Sequence, residues 1–342
     1  MISIATGQAI DPAVSGSGLL ALDVIFGPEG PVALPGGTCG NVLLTLGEMG
    51  HITMPLAHLG HDQPGQMIND EFRRVGAILE GLHHDSSIST PIILQYWHRD
   101  PKDGEDHYFS FRSPTTNKRF PAYRTISNTL VEEIAPRLSK IAIFFFDRIS
   151  HPILRAAKLA KHGGATIIFE PSSIDDPILF QQAMETCHIL KFSEKRLGHE
   201  MESMLRSTSK PELIIKTKGC HGIEVIMRGR SGCEHVSMPA PVAPRLIDSC
   251  GSGDAVTAIL IHLLLTQHDR SSRAILDYLA YGQEIAAINC GFLGARGAFL
   301  SLGWSSLVSN VTDRRKVPKR MIKRTSPFAG LEKGQSGTLF LS

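Results

Sequence analysis

Cysteine is sparse and unpaired in this sequence: the six residues Cys39, Cys187, Cys220, Cys233, Cys250 and Cys290 include no C-x-x-C pair among 342 positions. Such spacing indicates neither a disulfide framework nor a zinc site. The 15 histidines contain no H-E-x-x-H arrangement and His83-His84 is an isolated doublet, so no structural metal is expected. Long apolar runs are missing too. The longest, Ala255 to Leu265, is interrupted by His262 and falls short of the ~20 residues that a membrane span needs. Met1 to Thr6 lacks the basic and apolar regions of a signal peptide, which sets the expectation of a cytoplasmic protein. Excess charge is also absent, and a net +2 gives no electrostatic case for nucleic-acid binding. The exception is Arg314 to Arg324, with seven basic residues and no acid, which predicts a solvated, flexible tail over 311–342.

What is present suits a large α/β body, expected over 13–310 after a short extension at 1–12. Strand-like runs at Pro31–Leu34, Pro91–Tyr96, Ile141–Phe146, Thr166–Phe169, Leu213–Lys216 and Gly222–Met227 alternate with helix-like stretches. The helices are predicted at Asn41–Met49, Gly65–Gly76, Pro152–His162, Pro177–Glu185, Gly253–Leu265 and Ser272–Asn289. Alternation of this kind predicts a mostly parallel, Rossmann-like sheet covered by helices, with ligands beyond the carboxyl ends of its strands. Val24–Leu34 and Ile88–Arg124 break the pattern, reading as strands and turns without helices, and are expected to form a small separate sheet.

The most informative stretch is Leu246-Ile247-Asp248-Ser249-Cys250-Gly251-Ser252-Gly253-Asp254, which runs straight into an apolar helix. Small residues let a backbone approach a ligand closely, and amides converging at a helix N-terminus favour an anion. A carboxylate held beside such a cradle suits accepting the proton of an attacking hydroxyl, so Asp254 is the candidate base, with Gly251, Ser252 and Gly253 as the cradle. The plainer alternative, a turn with Asp254 as helix cap, stays open on this stretch alone. A second glycine site, Pro35-Gly36-Gly37-Thr38-Cys39-Gly40-Asn41, precedes the helix starting at Val42. Bare backbone there would admit a polyol, and the Asn41 amide offers it a donor and an acceptor.

Taken together in order and spacing, these motifs resemble the ribokinase-like carbohydrate kinases, also called the phosphofructokinase B family, over roughly residues 13 to 300. Ala13–Asp23 looks like the family's first strand ending in a substrate aspartate, and Gly36, Gly37 and Asn41 match its first signature. Gly60, Asp62 and Gly65 look like its G-x-D-x-x-G turn. Thr217, Gly219 and Gly222 resemble its nucleotide loop. Asp248 to Asp254 matches its second signature with Ser252 where alanine is usual, and Gly294-Ala295 looks like the pair near the adenine. The resemblance implies a small β-sheet lid over 24–35 and 88–124, ATP on one side, and a sugar or related alcohol beneath the lid. It implies Asp23, Gly36, Gly37 and Asn41 at the acceptor, and Ser193, Thr217, Gly219, Gly222, Asp248 and Asn289 at the nucleotide side. ATP and Mg2+ are the implied cofactors, a monovalent cation such as potassium an optional third, and a homodimer through the lid the implied assembly.

One position departs from the family. Arg196 stands where an N-x-x-E motif would have its glutamate, and a cation does not attract magnesium. Glu194, acting through water, is the expected substitute, with Glu170 as a further acid nearby. Among other functions, a nicotinamide-dependent oxidoreductase rests on Gly16-Ser17-Gly18-Leu19-Leu20-Ala21, but Gly27-Pro28 breaks the chain where that fingerprint needs a helix. A nucleoside or sugar-phosphate kinase of the same fold, or a non-catalytic binding regulator, fits the same glycine sites. Finally, Arg112, Lys118, Arg119 and Arg124 fall in one short acid-free stretch of the expected lid, which fits either an acidic or phosphorylated acceptor with Arg112 among its ligands or solvated loop charges paired with Asp100, Asp103, Glu105 and Asp106.

Overall fold

A computed structural model describes residues 11–100, 104–207, 211–229 and 232–315. The chain runs β1 (Val14–Ser17), β2 (Ala21–Gly27), β3 (Gly30–Gly36), α1 (Thr38–Glu48), β4 (Thr53–Gly60), α2 (Gln63–Arg74), β5 (Leu82–Asp85), β6 (Ile92–Asp100) and β7 (Gly104–Ser110). It continues α3 (Asn128–Leu138), β8 (Ile143–Phe146), α4 (His151–His162), β9 (Thr166–Phe169), α5 (Pro177–Thr186), β10 (Ile189–Ser193), α6 (Glu194–Ser207) and β11 (Leu213–Thr217). The remainder is β12 (Ile223–Gly229), β13 (Gly232–Met238), α7 (Ser252–Thr266), α8 (Ser272–Asn289), α9 (Gly297–Leu302) and α10 (Trp304–Arg315).

Nine strands form the main sheet in the order β13-β12-β11-β10-β9-β8-β1-β4-β5. Its pairs are parallel except the antiparallel edge at β11-β12-β13. Strand β8 shows why the apolar runs are continuous: Ile143 and Phe145 pack into one core, Phe144 and Phe146 into another on the opposite face. Successive side chains alternate across a strand, so a sheet covered on both sides needs apolar residues at every position. The first core is closed by α1, α2, α7 and α8, and the second by α3 to α6. No helix among the described residues is long and apolar enough to cross a membrane.

The smaller sheet has the order β3-β2-β6-β7. Register puts Ile25, Gln95 and Phe109 on one face and Phe26, Tyr96 and Tyr108 on the other. The two segments expected to form a separate sheet therefore do so, and they pair with each other through β2 and β6, which are parallel. At the far end, α10 carries the folded chain to Arg315 with Val311 buried, past the boundary expected at 310. The basic residues from Lys316 onward, like residues 1–10, lie outside the described residues. The G-x-G-x-x-A stretch opens no helix, since β1 and β2 occupy it and a β-carbon on Gly18 would lie 1.6 Å from Asp147 Oδ1.

Candidate active site

The site forms where the order of the main sheet reverses, beyond the carboxyl ends of β1 and β8, as expected for an open parallel sheet. Two helix N-termini meet there. Helix α7 starts behind Gly251, whose left-handed φ of 71° only glycine adopts freely, and no side chain caps it. The Ser252 amide turns back to Ser249 O at 3.3 Å, so the anion-facing donors are the amides of Gly253 and Asp254. Asp254 is not the cap. Its Oδ2 accepts from Asn41 Nδ2 at 2.8 Å, which joins the first turn of α1 to the first turn of α7. Burial, followed by the charge of Glu170, raises its pKa from 3.8 to about 7.

The glycine pair before α1 makes the other wall. Asp23 sits opposite Leu34 on the β2-β3 ladder, and its Oδ2 accepts from the Gly37 amide at 3.2 Å. A β-carbon on Gly36 would lie 2.0 Å from that same oxygen, so only glycine fits beside it. Asp23 Oδ1 is buried with no partner among the described residues, and burial lifts its pKa to about 7. Arg296 anchors this loop from behind, donating to Pro35 O at 3.3 Å and to Glu71 Oε1 at 2.9 Å.

Several expected ligands turn out to hold the walls. Asp248 accepts from Cys250 N, Gly294 N and Gln95 Nε2 at 2.9, 2.8 and 2.7 Å, so it ties the phosphate loop to the smaller sheet. Asn289 is fully buried and uses its amide on Ala295 O and Ala298 N, both at 3.0 Å, shaping the 294–298 loop. Arg112 is exposed and donates to Asn117 O at 2.9 Å within its own hairpin, away from the Asp23–Asp254 pair. Asp62 caps α2 through Gly65 N at 2.9 Å and also takes Thr90 N at 2.7 Å. Ser193 and Thr217 are register partners at the ends of β10 and β11, followed by the short turn of Gly219 and Gly222 with φ of 58° and 91°.

The metal side differs from expectation. Glu194 Oε1 lies 3.1 Å from Lys216 Nζ, so its carboxylate is already paired with a cation. Glu170 is engaged by Lys191 and by Thr257 Oγ1 at 2.7 Å. Among the described residues no cluster of three or more His, Cys, Asp or Glu side chains is placed to hold a metal ion. Lys191 escaped the sequence reading because it sits in an apolar strand run. Its ammonium lies 3.3 Å from where a β-carbon on Gly253 would be, directly under the phosphate loop. Gln95 and Asp147 were missed for the same reason: each is one polar residue in a hydrophobic strand context, and only the fold gives it a partner.

No family model and no curated protein sequence matches the chain. Solved structures do. A ribokinase from Giardia lamblia aligns with TM-score 0.69 at 15% identity, covering 89% of this chain and 99% of that one. An Arabidopsis thaliana ribokinase complexed with ribose and ATP gives 0.67 at 16%, covering 88% and 98%. A Vibrio cholerae fructokinase bound to fructose, ADP and calcium ion gives 0.66 at 19%, covering 87% and 98%. The fold is ribokinase-like. The structural neighbours are sugar kinases of the ribokinase and fructokinase type.

Proposed function

We propose that this protein transfers the γ-phosphoryl group of ATP to a hydroxyl of a sugar or related small alcohol. The observation that carries the reading is the 2.8 Å bond between Asn41 and Asp254, which unites the polyol cradle and the anion loop in one site. An acceptor hydroxyl held between Asp23, Asn41 and Asp254 gives its proton to the Asp254 carboxylate as its oxygen bonds to phosphorus and the bond to ADP breaks. The amides of Gly253 and Asp254 take up charge on the equatorial oxygens. Because the transition state is loose, positioning supplies most of the rate and the base is secondary.

Ser193, Thr217, Gly219 and Gly222 are the proposed nucleotide residues, on the resemblance of their loop and the pairing of Ser193 with Thr217 at the ends of β10 and β11. A divalent ion would neutralise phosphate charge when bound. Glu194 does not fit as its free carboxylate, given Lys216, and no step is derived through the metal. The outer face of the smaller sheet, where Phe26, Tyr96 and Tyr108 stack at 4.6 and 5.0 Å and Tyr108 is 54% exposed, is the proposed contact with a second copy, testable by sedimentation. The test of the function is ADP release from ATP with a panel of sugars, sugar acids, sugar phosphates and nucleosides. Acceptor-dependent release that Asp254→Asn abolishes supports the reading, and none with any acceptor refutes it.

A further inference from the structure

Between the smaller sheet and the main body lies a second cavity of about 240 Å³, whose walls include Leu19, Ile93, Phe111, Arg119, Tyr123 and Arg148. It adjoins the acceptor cradle through Leu19. The Leu19 carbonyl oxygen is 2.4 Å from where a β-carbon on Gly37 would be, so the backbone lining the cavity also backs the glycine pair.

The polar groups in this cavity are cationic or donating. Arg148 follows β8 directly; its described bonds run through Nη1, to Asp147 Oδ2 at 2.6 Å and Asp147 O at 3.0 Å. Arg119 reaches the same space from the loop after the smaller sheet, and no acid is paired with it among the described residues. The Tyr123 hydroxyl is buried and has no hydrogen-bond partner among the described residues. No acid is among the residues lining it; the nearest established one, Asp147 beside Arg148, gives its Oδ1 to the Leu19 amide at 2.9 Å. Two guanidinium groups against one carboxylate leave the cavity with a net positive charge, walled by apolar side chains that strengthen its field.

Building on the kinase reading, we infer that the acceptor carries an oxyanion, a carboxylate or a phosphate, at the end remote from the reacting hydroxyl, and that Arg148, Arg119 and Tyr123 bind it in this cavity. Guanidinium forks match both oxyanions, the phenol adds a donor, and the cavity has room for such a group and a short length of carbon chain. The role foreseen for Arg112 thus falls to Arg119 and Arg148.

The test compares neutral aldoses with their aldonic acids and their terminal phosphates, by ADP release, for the wild type, Arg119→Gln and Arg148→Gln. The expected result is kcat/KM at least tenfold higher for an anionic member than for its neutral parent, with that ratio falling at least tenfold in either variant through KM. A preference for acids or for phosphates identifies the oxyanion. Should Arg148→Gln lose structure by leaving Asp147 unpaired, the exposed Arg119→Gln carries the test alone. Turnover of neutral sugars that Asp254→Asn abolishes, but whose preference neither arginine variant moves, overturns the subsite and leaves the kinase standing. No transfer to any acceptor overturns both.

Discussion

Replacing Asp254 with asparagine is expected to stabilise the protein while disabling it. The carboxylate is buried and its pKa is raised from 3.8 to about 7. At about 1.4 kcal/mol per unit, holding it ionised costs the folded state about 4 kcal/mol at pH 8, the offsets from Lys191 and Arg196 being already contained in that shift. A folded pKa above the unfolded one means stability that is fully present below about pH 4 and is lost as pH rises through about 7. Asparagine has no charge to bury, and its side-chain oxygen still accepts from Asn41. Its stability gain over the wild type should therefore grow with pH, by about 3 kcal/mol between pH 5 and pH 8, appearing as a melting temperature about 5 °C higher at pH 8. Phosphoryl transfer should fall by about two to four orders of magnitude, the range for loss of a general base. Paired melting curves and ADP-release rates at both pH values provide the assay. A gain of equal size at pH 5 and pH 8 would refute the raised pKa, and undiminished turnover would refute the base.

The buried pair His51 Nε2 and His262 Nδ1, 2.7 Å apart, gives the opposite pH sign. Burial lowers their pKa values to about 4 and about 3, so their stability is present above 6.5 and lost as pH falls, by about 2 kcal/mol per ring at pH 5. His51→Gln with His262→Leu should flatten that loss in urea midpoints measured at pH 7 and 5; an unchanged slope would count against it. Gly251→Val should collapse both nucleotide affinity and turnover, because φ is 71° and the new β-carbon would lie 2.3 Å from that of Ala295; a nucleotide titration unchanged from wild type would show the loop to be tolerant. Lys191→Met leaves the half-buried Glu170 without its cation and should cost about 2 kcal/mol in denaturant unfolding, with the double change Lys191→Met and Glu170→Gln recovering much of it. Absence of that recovery would mean that the two side chains act independently.

Short-range chemistry in the sequence determined the strand and helix alternation and the two glycine turns, because backbone freedom, capping and periodicity are set within a few residues. It missed α3, whose Pro136 argues against a helix although Ser127 caps it at 3.1 Å from Leu130 N. Only the tertiary structure decided which polar residues meet. Asn41 and Asp254 are 213 positions apart, and Gln95 reaches Asp248 across 153. The same long-range packing gave Asn289 and Asp248 partners in the 294–298 loop and the smaller sheet, gave Glu194 a lysine, and left Arg112 bonded within its own hairpin. A residue's type fixes what it can bond, but burial and the arrival of a partner from another element fix whether that capacity is spent inside the fold or left for a ligand.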